Sequence, residues 1–222
     1  LNSGSPRLYL SSLGLSLLYY PGQSADKRIS VFKVLLTPGV IPILVVVFAW
    51  MLAHNILYTY ISPFLDDMGL EPYLGQVLLV FGIMALVGIW VIGIFIDRWL
   101  RPLVLISLTG FALISLVLGL WSEHGTIIFI SVALWGLTFG GAATLLQTAL
   151  AQAAGKQGVD IVLPINTTVW NLATAGAGIL GGVLLNQWGT TSFPWSLLLL
   201  LLLALFVAWC AKRHGFRPSQ IR

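Results

Sequence analysis

The apolar residues of this chain fall in long uncharged runs separated by short polar segments. Thr37 to Leu65 carries no formal charge, and Pro72 to Ile96, Pro102 to Ser122 and Gly125 to Gly155 follow as three further runs. The last run, Ile161 to Ala211, is far longer than one crossing, because about 20 residues span the hydrocarbon of a bilayer. It must fold back. The break is Asn186-Gln187-Trp188-Gly189-Thr190-Thr191-Ser192 followed by Phe193-Pro194, a polar stretch punctuated by Gly and Pro. The pattern predicts six helices, over 41–64, 73–96, 102–122, 126–152, 161–186 and 193–211. Helices are required because backbone groups in lipid must be satisfied within the segment. A β-barrel would need alternating segments of about 10 residues, and solid runs such as Leu197 to Leu203 do not alternate.

The expected fold class is therefore an all-α membrane protein. Residues 37–212 form a six-helix transmembrane bundle, and 213–222 form a basic cytoplasmic tail. Residues 1–36 read as a cytoplasmic linker or the end of a preceding helix, with Leu8 to Tyr20 apolar but too short to span comfortably. The basic residues set the orientation. Lys27, Arg28 and Lys33 precede the first helix, Arg98 and Arg101 follow the second, Lys156 follows the fourth, and Lys212, Arg213, Arg217 and Arg222 follow the sixth. With six helices these segments share one side, which the positive-inside rule makes cytoplasmic. Asp66, Asp67, Glu71, Glu123 and His124 fall on the other side, with no Lys or Arg.

Composition narrows the class without changing it. Of the 222 residues 58% are apolar and 8% are charged, against about 25% charged in an ordinary soluble domain. A soluble enzyme and a disordered chain are both excluded. The net charge of +4 reflects basic loops on one side of a bilayer. No basic cluster of the kind that binds nucleic acid is present. One cysteine, Cys210, permits no internal disulfide. The chain begins at Leu1 and not Met, so it is expected to be the tail of a longer protein.

The second predicted helix ends Gly93-Ile94-Phe95-Ile96-Asp97-Arg98-Trp99-Leu100-Arg101-Pro102, a G-x-x-x-D-R-x-x-R pattern. Glycine lets a neighbouring backbone approach closely. Asp97 can accept hydrogen bonds in the turn, and Arg98 and Arg101 can anchor it at the headgroups. The bland reading is an ordinary basic loop. The segment resembles the loop signature of the major facilitator superfamily between its helices 8 and 9, departing from it at Leu100, where glycine is usual. Ala53-His54-Asn55-Ile56-Leu57-Tyr58-Thr59-Tyr60-Ile61-Ser62-Pro63-Phe64-Leu65 is similar to helix 7 of its bacterial drug, sugar and nucleoside efflux permeases. Asn166-Thr167-Thr168-Val169-Trp170-Asn171-Leu172, with Gly176, Gly178, Gly181 and Gly182, is similar to helix 11. The resemblance covers about 37–212. It implies the C-terminal half of a twelve-helix secondary transporter in a bacterial inner membrane, both termini cytoplasmic. It also implies proton-coupled efflux of a small polar or aromatic compound such as a sugar, nucleoside or drug. The bilayer, that solute and an N-terminal six-helix half would be its partners, and a proton gradient its energy source. Gly93, Asp97, Arg98 and Arg101 would then form a gating loop.

Polar residues inside spans are costly and tend to face a cavity or another helix. Trp50, His54 and Tyr58 share a face of the first helix, with Asn55, Thr59 and Ser62 beside them. Thr144, Gln147, Thr148 and Gln152 form a stripe on the fourth, and Thr167, Trp170, Asn171 and Thr174 one on the fifth, with Asn166 at its edge. Trp50, His54, Asn55, Tyr58, Gln147, Trp170 and Asn171 are the candidate solute lining: amides and hydroxyls pair with a polar solute, and aromatic rings stack on it. The competing reading is hydrogen bonding between helices. His54 is the one titratable side chain well inside a span, either a proton carrier or a neutral group bonded to a neighbouring helix. The third and sixth helices are poorest in polar residues and so are expected at the periphery. Gly136 with Gly140, and Gly178 with Gly182, permit close helix crossings. No metal or organic cofactor is expected. A truncated remnant or structural subunit is the alternative function. An intramembrane enzyme is disfavoured, because no nucleophile–base pair or metal cluster occurs at membrane depth.

Overall fold

The computed structural model describes residues 30–213 and 215–216. Residues 1–29 of the expected linker, and most of the basic tail, lie outside the described residues. Within them the elements are α1 (Val31–Leu35), α2 (Val40–Thr59), α3 (Ile61–Asp67), a 3₁₀ turn (Glu71–Tyr73), α4 (Leu74–Trp121), α5 (Gly125–Phe139), α6 (Ala142–Trp188), α7 (Ser192–Cys210) and a final 3₁₀ turn (Ala211–Arg213), with no strand.

Two of these helices are too long to cross once. α4 has 48 residues and α6 has 47, each about 70 Å at 1.5 Å per residue, more than twice the hydrocarbon thickness of about 30 Å. Each contains one residue outside helical geometry, Trp99 in α4 (φ −125°, ψ 22°) and Gly155 in α6 (φ 67°, ψ 175°). Packing partners show that the chain reverses there. Along 74–98, Ala85 meets Gly136 and Gly140, and Ile92 meets Gly141, so this segment runs parallel to α5. After Trp99, Gly110 meets Thr138 while Phe111 meets Trp135, the opposite sense. Trp50 and His54 of α2 meet Phe139 and Trp135 in antiparallel order. After Gly155 the chain runs parallel to α2, with Val34 at Gly158, Leu52 at Gly176 and Tyr60 at Gly181. Six alternating spans result: 40–67, 74–98, 100–121, 125–154, 156–188 and 192–210.

The reversals have local causes. Pro102 sits in the first turn of 100–121, where its missing N–H costs nothing. Trp99 turns in a region open to any residue, so Leu100 can replace the usual glycine, and it is fully buried. Gly155 adopts a positive φ that other residues rarely tolerate. Charge patterning placed the fifth helix at 161, but helix resumes at 156, because Lys156 and Asp160 are accommodated within its first turns. The fourth span, expected as one helix, is interrupted at Gly140 and Gly141 between α5 and α6. The first breaks at Tyr60 (φ −107°, ψ 21°), three residues before Pro63. α1 makes a short helix of residues expected to be linker, and its Val34 is buried.

The two ends of the bundle are chemically distinct. At one, the Thr190 hydroxyl donates to Asp67 Oδ2, and Leu70 contacts Gly125. At the other lie Trp99, Gly155 and the described lysines and arginines, Lys33, Arg98, Arg101, Lys156, Lys212 and Arg213. The core sits mainly on α2, α5 and the facing sides of α4 and α6. Spans 100–121 and 192–210 expose Ile106, Thr109 and Leu113, and Leu199, Leu202, Phe206 and Trp209, but span 74–98 exposes more of its length than either, so exposure does not single the two out as the peripheral helices.

Candidate functional site

The polar residues singled out along the chain separate into two environments. Trp50 and His54 are 0% and 8% exposed and lie inside the bundle. His54 stacks on Phe139 at 3.4 Å between centroids and 5° from parallel. Around it stand Trp135 at 5.2 Å, Tyr58 at 5.5 Å and Phe81 at 5.9 Å. Phe111 closes the cluster behind Trp135. The nitrogens Trp50 Nε1, His54 Nδ1 and Trp135 Nε1 are buried without a hydrogen-bond partner. Of the three side chains that share a helix face in the sequence, Trp50 and His54 thus point into an aromatic core, and Tyr58 stacks at its exposed edge. Trp135 carries no signal in the sequence, since nothing in Ala133-Leu134-Trp135-Gly136 distinguishes a core indole from a lipid-facing one.

Gln147 belongs to the second environment. It lines a cavity of about 580 Å³ with Leu163, Pro164, Asn166 and Thr167. This is within the range of small-molecule sites, about 300–1,000 Å³. Asn166 is 3% exposed, and its Oδ1 is buried without a partner. The sequence puts it at the edge of the polar stripe. The structure brings it into the wall of the same cavity as Gln147, and the signal for it is Pro164 two residues earlier. A proline inside a helix removes one backbone hydrogen bond and opens the preceding turn, here at the carbonyl of Asp160.

From that cavity a polar face continues along 156–188. Thr167, Asn171 and Thr174 are all exposed, four and three residues apart, and Trp170 is half-buried beside them. The hydroxyls of Thr167 and Thr174 donate to Leu163 and Trp170 carbonyls in their own helix, at 3.2 and 3.1 Å. For the threonines, then, local bonding accounts for the polarity. Asn55 is similarly occupied, its Nδ2 donating to the Met51 carbonyl at 2.7 Å, although it is half-exposed on α2. Tyr58 is 47% exposed. The structure therefore gathers Gln147, Asn166 and Thr167. Asn171 stands one turn further on, and Trp50 and His54 lie apart in the aromatic core.

The loop motif also divides. Gly93, Asp97 and Arg98 are exposed, and no atom of the described residues outside its own helix would meet a Cβ on Gly93. Close helix approach was expected there. It occurs at Gly136 and Gly140, one of the two pairs whose spacing permits a close crossing, where an added Cβ would collide with the Phe81 and Ala85 carbonyls. Arg101 was expected at the headgroups. Its Nη2 donates to the Trp209 carbonyl at 3.3 Å, and its guanidinium lies 6.0 Å from the Trp209 ring centroid. It ties span 100–121 to the end of α7, where a cation complements the carbonyl-rich helix terminus. Among the described residues no group of His, Cys, Asp and Glu is placed to hold a metal.

Comparison with known proteins agrees with this architecture. The chain is 31% identical over 188 residues to the purine ribonucleoside efflux pump NepI of Escherichia coli O6:H1, a match that covers 80% of the chain and 45% of the pump. It is 31% identical over 203 residues to the protein of the same name from Shigella sonnei, covering 86% of the chain and 49% of that protein. The chain thus spans about half the length of the curated relatives it matches. No solved structure matches it. The family model of the Major Facilitator Superfamily matches residues 10–177, and together with the six alternating spans this places the chain in that superfamily of membrane transporters.

Proposed function

We propose that this chain is the C-terminal half of a secondary transporter that exports purine ribonucleosides or closely related solutes, and that Gln147, Asn166 and Asn171 hold the solute. The observation that carries this reading is the cavity between 142–154 and 156–188. Gln147 and Asn166 are among its lining residues, and the Asn166 Oδ1 is buried with no hydrogen-bond donor to it among the described residues. A buried amide left unpaired costs about 1–3 kcal/mol, which a solute N–H or O–H would offset. A nucleoside has such donors on both base and ribose, and its flat ring can stack on Tyr58 or Trp170. The similarity to the NepI pumps supports the choice among sugars, nucleosides and drugs. The spans hold no Lys or Arg at membrane depth, which disfavours a phosphorylated solute.

In this reading the two halves rock about a midplane site at their interface. Export is driven by the proton gradient through carboxylates of the other half, since Asp97 and Asp160 stand at the membrane edge. The test is retention of radiolabelled inosine and adenosine by cells expressing the complete transporter. We expect Gln147→Ala and Asn166→Ala to slow export about tenfold, the loss of one or two hydrogen bonds of about 1 kcal/mol each. Leu113→Ala on the outer face should not. Export of neither nucleoside by the unsubstituted protein, or unchanged export in both amide variants, would overturn the proposal.

A further inference from the structure

We propose that the groove between spans 100–121 and 192–210 is a binding site for an anionic phospholipid, with its acyl chain in the groove and its phosphodiester held by Arg101. The groove has a volume of about 370 Å³ and is lined by Leu105, Thr109, Leu202, Leu205, Phe206 and Trp209. All but one of these are apolar, as an acyl chain requires. It lies on the outer side of the bundle, away from the cavity at Gln147.

Two features distinguish it from ordinary lipid-facing surface. First, it has a charged end. Arg101 lies one helical turn from Leu105 and beside Trp209, and exposed Arg98 and Lys212 flank it. Among the described residues Arg101 has one acceptor, the Trp209 carbonyl at 3.3 Å, and its Nη1 is buried without a partner there. A guanidinium presents five N–H donors in a planar fork suited to phosphate. A phosphodiester at the rim completes its hydrogen bonding by drawing the side chain outward. Secondly, the depth fits. Arg101 to Thr109 rises about 12 Å along the helix, close to one leaflet of the hydrocarbon core, about 15 Å. The charged rim is at the basic end of the bundle, so the lipid belongs to the leaflet facing that end. Basic pockets between helices on that side favour anionic headgroups. Exposed Trp209 places its indole at the same level, where amphipathic rings reside.

The experiment is photolabelling of the purified, delipidated protein in detergent with phosphatidylglycerol carrying a photoreactive acyl chain. Unlabelled phosphatidylglycerol, phosphatidylcholine with the same chains, and glycerol phosphate serve as competitors. Label is expected on 100–121 and 192–210. Phosphatidylglycerol should compete about fivefold better than phosphatidylcholine, the preference one basic side chain gives near a membrane surface. In Arg101→Gln that ratio should fall to about one, and in Arg101→Lys it should partly survive. Leu202→Trp fills the groove and leaves the arginine in place, so it should reduce label at 105–109. Equal competition by the two lipids, an unchanged ratio in Arg101→Gln, or full label in Leu202→Trp would overturn the proposal. So would competition by glycerol phosphate as strong as by the lipid, since the site would then bind a free anion.

Discussion

His54 and Phe139 lie ring to ring, and the imidazole Nδ1 has no partner. Its other ring neighbours are Tyr58, Phe81 and Trp135, none of which can neutralise an imidazolium. These contacts describe a packing residue. Replacement by phenylalanine keeps the stacked ring and removes the unpaired nitrogen, so His54→Phe should melt in detergent at or above the parent temperature and retain transport. His54→Ala removes the stack and should cost about 3 kcal/mol, as large-to-small core changes do. An equal loss of stability in both variants would show that the imidazole makes a polar contact the fold needs. The sequence marks His54 as unusual by type alone. Whether a polar residue in a span faces a cavity or a packed core depends on neighbours from other spans, and here two of them supply aromatic rings. Gln147 and Asn166 are less conspicuous in the sequence, yet both line a cavity.

At the scale of elements, two glycine pairs with identical spacing have different roles. Gly136 and Gly140 bring α5 against 74–98 so closely that carbonyls occupy the space of any side chain. Gly178 has open space at its Cβ position and contributes its carbonyl, which accepts the Tyr60 hydroxyl at 2.6 Å. Gly140→Ala should therefore lower yield and melting temperature, by the 1–3 kcal/mol typical of overpacking. Gly178→Ala should change neither. Thermal aggregation curves of the two variants check this, and equal behaviour would contradict the packing described. The spacing announces that a close crossing is possible, and only the crossing itself shows which pair makes it. Element boundaries were similarly half legible. Prolines and glycines mark the breaks at 60–63 and 155, but the helix that begins at 156 contains two charges, and charge was the criterion for a loop.

Over the whole molecule, every described lysine and arginine gathers at one end, opposite Asp66, Asp67, Glu71 and Glu123. With that basic end cytoplasmic, cysteines at 71, 123 and 191 in a Cys210→Ser background should react with an impermeant thiol reagent from outside. Position 191 is chosen because Thr190 is 1% exposed and bonded to Asp67. Protection of all three, with labelling at 156, would reverse the orientation. Asp97 is exposed at the basic end of the bundle, beside the reversal at Trp99. If the loop contacts the other half of a transporter, Asp97→Asn should impair transport severalfold at normal abundance. Unchanged transport would make the motif a loop anchor.

The number of spans, their alternating direction and the basic end were determined by the sequence, because a bilayer imposes them locally. Hydrocarbon thickness sets run length, unsatisfied backbone groups force helix, and charges stay out of lipid. Which face of each span points inward was decided by tertiary structure. In a soluble helix the polar face is the outer one, but in lipid both faces are apolar, so the pattern along 74–121 or 192–210 has no inside or outside to read. Close packing at Gly136 and Gly140, the aromatic cluster at His54 and the reversals at Trp99 and Gly155 fix those rotations. They turn Trp50 into the core and leave Gln147 and Asn166 facing a cavity.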